Sequence, residues 1–212
     1  MKKKLDIIDI NDLIGCIVDE NENDIRDFDD ILNLDAGIND RNIMLGDIEV
    51  GVGTSVDGVI RFWNRYDDRH NIPVENRKPI KIYIDSNGGS LTDAFTAINA
   101  INMSKTPVYT IVTGTAYSAG FFISIAGHKR YAYPLASFLY HEGSASNGGT
   151  AGQFRNFADF YDKQLEQLKK HTLKCTNITE EKYKEIKKDD IWMTTDDALE
   201  IGAIDEICEE LI

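Results

Sequence analysis

Cysteine, proline and tryptophan are scarce: three, four and two residues in a chain of 212. Cys16, Cys175 and Cys208 are odd in number and far apart, which fits neither a disulfide framework nor metal-ligand spacing. A reducing cytoplasm is the expected setting, with all three read as ordinary buried or half-buried thiols. No apolar run is long enough to span a bilayer. Asp6, Asp9 and Asp12 interrupt what would have to be a signal-peptide core after Met1-Lys2-Lys3-Lys4. Basic residues are also in deficit, 23 Lys and Arg against 36 Asp and Glu, giving a net charge of −13. That balance argues against nucleic acid as a partner, because neutralising phosphates needs a basic face.

What is present suffices for one domain with a sizeable core: 42% of the residues are hydrophobic. The charge is lopsided, with twelve acidic and four basic residues in positions 1–40, −8 of the total. This acidic N-terminal extension reads as a solvated arm, and partner docking is the sharper alternative. Residues 41–212 read as the folded domain.

From Asn42 the hydrophobic pattern becomes regular. Residues 43–50 read as a strand. Val56, Val59, Ile60, Trp63 and Tyr66 then recur at helical spacing. Residues 79–85 alternate as a second strand, broken by Ser86-Asn87-Gly88-Gly89-Ser90. Leu91, Ala94, Phe95, Ile98 and Ile101 line a second helix, and residues 108–113 form a third strand. Alternating strands and helices imply parallel βαβ units, with functional groups gathered beyond the carboxyl ends of the strands. Further on come a strand over 137–141, a Gly-, Ser- and Asn-rich excursion to Gly152, and a long amphipathic helix from about Phe154. A short helix follows from Thr179, then an extended piece at 192–194. The last short helix is capped by Thr194 with Asp197 and ends at Gly202.

Gly114-Thr115-Ala116-Tyr117-Ser118-Ala119-Gly120 sets a serine among small residues where the third strand turns into a helix. Backbone N–H groups and the positive end of a helix dipole lie beside such a hydroxyl, an environment suited to an oxyanion. A plain helix N-cap is the commoner reason for a serine there. A nucleophilic serine needs a base, itself held by a third group. His141 ends the neighbouring strand, whereas His70, His128 and His171 read as surface residues. Either Asp189 or Asp190 could orient the imidazole. Ala119 N–H is one expected oxyanion donor, and the Gly88-Gly89 corner can supply another.

These motifs, with Ala126-Gly127-His128-Lys129-Arg130, Gly152-Gln153 and Asp190-Ile191-Trp192-Met193-Thr194 leading to Asp205, resemble the proteolytic subunit of Clp protease. The likeness runs in order from about Asn42 to Glu209. It implies an α/β, Clp-protease/crotonase-like spiral of ββα units with a protruding handle helix, the one from Phe154. It also implies a serine endopeptidase without metal or organic cofactor that hydrolyses peptides or unfolded proteins. Ser118, His141 and Asp190 then match the triad, Gly89 and Ala119 the oxyanion hole, and Gly88 and Ser90 the substrate strand. The resemblance further implies a homo-oligomeric ring or double ring, fed by an ATP-dependent unfoldase.

Asn87 stands where the family usually has proline, Glu142-Gly143 where it has glutamine and proline, and Ile191 where many members have arginine. The alternatives are a specialised processing peptidase of phage or mobile-element type, a signal-peptide-peptidase-like hydrolase, a crotonase-type acyl-CoA enzyme and a catalytically degenerate regulatory subunit.

Overall fold

The computed structural model describes residues 41–186 and 190–212; the acidic extension with Cys16, and Asp189, lie outside the described residues. Strands β1 (Asn42–Leu45), β2 (Ile80–Ser86), β3 (Val108–Tyr117), β4 (Lys129–Ala132) and β7 (Glu206–Ile207) lie side by side in that order, all parallel. Parallel neighbours need crossovers. Helices α1 (Val52–Arg69), α2 (Leu91–Met103) and α3 (Ala119–Ser124) supply the first of them.

β3 divides its loyalties along one edge. Tyr109–Val112 pair with β4, whereas Thr115–Tyr117 pair with β5 (Ser137–Tyr140), also in parallel. β6 (Ile191–Thr194) then pairs with β5 in the antiparallel sense. The seven-stranded sheet thus forks along β3, and the chain corner after Tyr117 follows the branch that pairs with β5.

Alternation in β2 buries Ile80, Ile82 and Ile84 completely. Val56, Ile60 and Trp63 of α1 and Ala94, Ala97, Ile98 and Ile101 of α2 cover them. Each large apolar side chain so removed from water contributes about 1.5–3 kcal/mol. The two helices meet closely at Gly53, where a Cβ would stand 2.2 Å from the Asp93 carbonyl oxygen. Asp93 Oδ1 accepts from the N–H groups of Gly51 and Gly53, placing an anion at the start of α1. Ser90 is the N-cap of α2, accepting from Asp93 N.

Helix α4 (Ala151–Cys175) opens on a Thr150/Gln153 capping box and buries only Leu168 and Thr172. Its earlier turns stand away from the core and leave Phe154 and Phe160 more than half exposed, at 56% and 55%. α5 (Glu180–Ile186) leads toward β6, and α6 (Thr195–Glu200) carries the expected Thr194/Asp197 capping box. Gly202 adopts a positive φ of 68°, as a residue just past a helix C-terminus does. Among the described residues no helix is long and apolar enough to cross a membrane.

The first strand is shorter than its sequence pattern suggests. β1 ends at Leu45, and Ile48 returns as an isolated parallel bridge to Gly89. Asp47 causes the interruption: its Oδ1 accepts from Asn87 N at 2.7 Å, drawing the side chain toward the next loop.

Candidate active site

Ser118 occupies the corner between β3 and α3 with φ 54° and ψ −120°. An L-residue with a side chain rarely takes this conformation, which costs on the order of 1–3 kcal/mol. Although Ser118 is the N-cap residue of α3, its hydroxyl makes no capping hydrogen bond. The ordinary reason for a serine at this position is therefore missing. Its own N–H donates to Leu139 O at 2.9 Å, fixing the corner against β5.

Small residues make this corner possible. A Cβ on Gly114 would lie 2.4 Å from Asp85 Oδ1, and one on Gly120 would lie 3.1 Å from Ser86 Cβ. Gly88 is tighter still: with φ at +102°, its Cβ would meet Ser118 Cβ at 2.7 Å and Tyr117 O at 2.8 Å. The diglycine loop therefore lies directly against the serine.

Hydrogen-bond accounting in that loop singles out one residue. Gly88 N donates to Ser86 Oγ and Gly88 O accepts from Ile48 N. Ser90 N donates to Ile48 O, Ser90 O accepts from Ala94 N, and the Ser90 hydroxyl donates to Asp93 Oδ2. Gly88 and Ser90, expected to meet substrate, thus have their polar groups engaged within the chain. Gly89 differs. In a parallel bridge the facing residue bonds to the groups on either side of its partner, so Gly89 turns its own N–H and C=O away from Ile48. β2 lies between β1 and β3, so that direction is the one in which Ser118 stands.

His141 and Asp190 come together through strand register. Tyr140 pairs with Ile191 in the antiparallel β5–β6 ladder, so the next residue on one strand faces the preceding residue on the other. His141 Nδ1 lies 3.6 Å from Asp190 Oδ1, with side-chain exposures of 30% and 61%. On the parallel side, Tyr117 pairs with Leu139, which sets Ser118 and His141 at adjacent strand ends. His141 Nε2 is buried and has no hydrogen-bonding partner among the described residues. Tyr117 ties β3 to β5 and β6: its hydroxyl is 2.7 Å from Ser137 Oγ, and its ring meets Trp192 edge-on at 5.2 Å.

His70 is exposed, as expected, with Nδ1 2.7 Å from Tyr66 O. His128 is exposed on one side, yet its Nδ1 accepts the Val108 N–H at 2.9 Å. His171 corrects the surface reading: it is half-buried, because the last turns of α4 pack on α3, and its Nε2 donates to Phe122 O at 2.9 Å. Burial lowers the pKa of both His128 and His171. Cys175 is half-buried and Cys208 buried, and burial raises both thiols.

Sequence reasoning missed the tyrosines around the base. Tyr140 and Tyr183 are both buried and share a hydrogen bond of 2.8 Å. No spacing announces such a pair, since its members lie on separate elements.

The Clp protease family model matches residues 73–211 of this chain. The ATP-dependent Clp protease proteolytic subunit of Streptococcus mutans is 30% identical over 203 residues, covering 93% of this chain and 97% of that protein. That of Lactococcus lactis subsp. cremoris is 29% identical over 202 residues, covering 93% and 96%. The chain belongs to the Clp protease family. It is thereby a serine-type endopeptidase with the α/β architecture of that family.

Proposed function

We propose that the chain cleaves peptide bonds of unfolded polypeptides with Ser118 as nucleophile, His141 as general base and Asp190 as the group that orients the imidazole. The observation that carries this reading is the unpartnered, sheltered Nε2 of His141 on a ring whose Nδ1 faces Asp190. A serine hydroxyl freed from capping, in a strained corner at the adjacent strand end, supports it.

The chemistry follows from these atoms. His141 Nε2 takes the proton as Ser118 Oγ attacks the peptide carbonyl. The Gly89 and Ala119 N–H groups then receive the oxyanion; losing one such donor costs roughly 3–4 kcal/mol in comparable sites. His141 next protonates the leaving amine, and water deacylates the serine with the same imidazole as base. Asp190 accepts Nδ1–H, fixes the tautomer and stabilises the imidazolium. The gap of 3.6 Å exceeds a hydrogen bond and would close on assembly or substrate binding, as catalytic contacts often do. With the Gly89 N–H on the oxyanion, its carbonyl faces the same side for an extended substrate backbone, and only unfolded chains offer such a strand.

We also propose a ring-shaped homo-oligomer. Phe154 and Phe160, exposed on the projecting half of α4, are the surfaces such packing would cover. The relatives are named as ATP-dependent, and an ATP-driven unfoldase partner is part of the same proposal. The test is labelling by a fluorophosphonate together with cleavage of a fluorogenic peptide. Ser118 should carry the label, and Ser118→Ala should abolish both signals. Labelling elsewhere, or cleavage that survives the substitution, would refute the triad.

A further inference from the structure

β5 ends at Tyr140, so His141 lies just past the last ladder hydrogen bonds, before the Gly- and Ser-rich stretch 142–149. The carboxylate facing it is 61% exposed and 3.6 Å away, a weak anchor by itself. Tyrosine hydroxyls reach the residues on either side of the histidine. Ahead of it, the Tyr140 hydroxyl donates to Tyr183 Oη at 2.8 Å. Behind it, the Tyr161 hydroxyl donates to the Glu142 carbonyl oxygen at 2.9 Å, and the Tyr183 hydroxyl makes a longer contact of 3.5 Å with Glu142 Oε1. One phenol oxygen thus touches both neighbours of His141, and a second holds the backbone that follows it.

The anchors are themselves fixed. The Tyr140 ring meets Phe121, Phe122 and Tyr183 edge-on at 5.9, 5.8 and 5.9 Å. Tyr161 belongs to α4 and Tyr183 to α5, so the grip comes from outside the β5–β6 pair. Burial, aided by the Glu142 carboxylate, raises the pKa of Tyr161 and Tyr183, so both remain protonated donors.

We propose that Tyr183 and Tyr161 are positioning residues for the His141 base, acting through Tyr140 and Glu142 to hold its backbone in line with Ser118. The proposal rests on the Ser118–His141–Asp190 reading. A phenylalanine at either position keeps the ring and removes only the hydroxyl, so the full-length variants Tyr183→Phe and Tyr161→Phe isolate the effect. An imidazole displaced by about 1 Å loses rate steeply, on the order of 10²-fold. Tyr183→Phe should therefore lower kcat and the rate of fluorophosphonate labelling of Ser118 at least tenfold, with KM near the wild-type value. Glu142→Gln, which keeps one side-chain acceptor oxygen, should retain most of the rate, whereas Glu142→Ala should not. Labelling of both phenylalanine variants at the wild-type rate overturns the proposal, even if their melting temperatures fall, because that pattern describes packing alone. Failure of the wild-type protein to label at Ser118 overturns the triad reading, and this proposal with it.

Discussion

Tyr140 and Ile191 are paired across an antiparallel ladder, and that single register sets His141 opposite Asp190. The proposed orienting pair is therefore a product of backbone pairing, so polarity at Asp190 can be changed without moving the strand.

Asp190→Asn should leave the fold intact and leave the imidazole without a negative partner. In a comparable triad the amide costs about 10⁴-fold in kcat by favouring the wrong tautomer. A drop on the order of 10³–10⁴-fold is expected here, read from steady-state cleavage of a fluorogenic peptide, with an unchanged circular dichroism spectrum. An enzyme that loses less than tenfold does not use this carboxylate.

Gly88→Ala should inactivate the protein for a different reason. The new methyl would meet Ser118 Cβ and the Tyr117 carbonyl below van der Waals distance, at a φ that side chains disfavour. The backbone carbonyl cannot swing aside as a side chain could, so the corner must shift. Loss of Ser118 labelling together with a lower melting temperature is expected; full activity would mean that the loop and the serine are not in contact in solution.

Stability should fall in two acid steps. His128 and His171 have depressed pKa values because burial opposes their charging. The unfolded chain then binds more protons, so stability is full above the ordinary histidine value of about 6.5 and declines as pH falls below it. Asp68, Asp93, Glu180 and Asp197 are also depressed, chiefly by hydrogen bonds from Arg77, Ser90, Lys169 and Thr194. Their contribution persists to about pH 4 and is lost below it. Melting temperature recorded from pH 8 to pH 3 should show both steps, and His171→Gln should shrink only the first.

Phe154→Asp with Phe160→Asp should break the proposed assembly and spare the folded domain. Both rings are more than half exposed and neither belongs to the core. Native mass spectrometry should show smaller species than wild type. An unchanged mass would place the subunit contacts elsewhere.

Much of the scaffold could be read from one-dimensional pattern. The 3.6-residue recurrence from Val56 to Tyr66, the alternation through Ile80, Ile82 and Ile84, and the Thr194/Asp197 cap are local signals, and each matched an element. The early end of β1 was not legible, because Asp47 bonds to a residue forty positions away. His171 misled for a similar reason: its lysine-rich surroundings suggest solvent, but helix packing covers it. At the candidate site, local chemistry marked Ser118 and the diglycine. Local chemistry left Asp189 and Asp190 open and the family resemblance named Asp190; the register that sets Asp190 opposite His141 joins two distant four-residue strands, which no spacing in the chain encodes.

Ser118 sits in a torsional state that glycine would accept with less strain, and its hydroxyl does nothing for the helix that begins beside it. A mutation to glycine there would relax the backbone and cost the fold no contact that the serine side chain provides as a cap. On the proposed triad, what keeps an oxygen at this uncomfortable place lies outside folding, in what that oxygen meets when another molecule arrives.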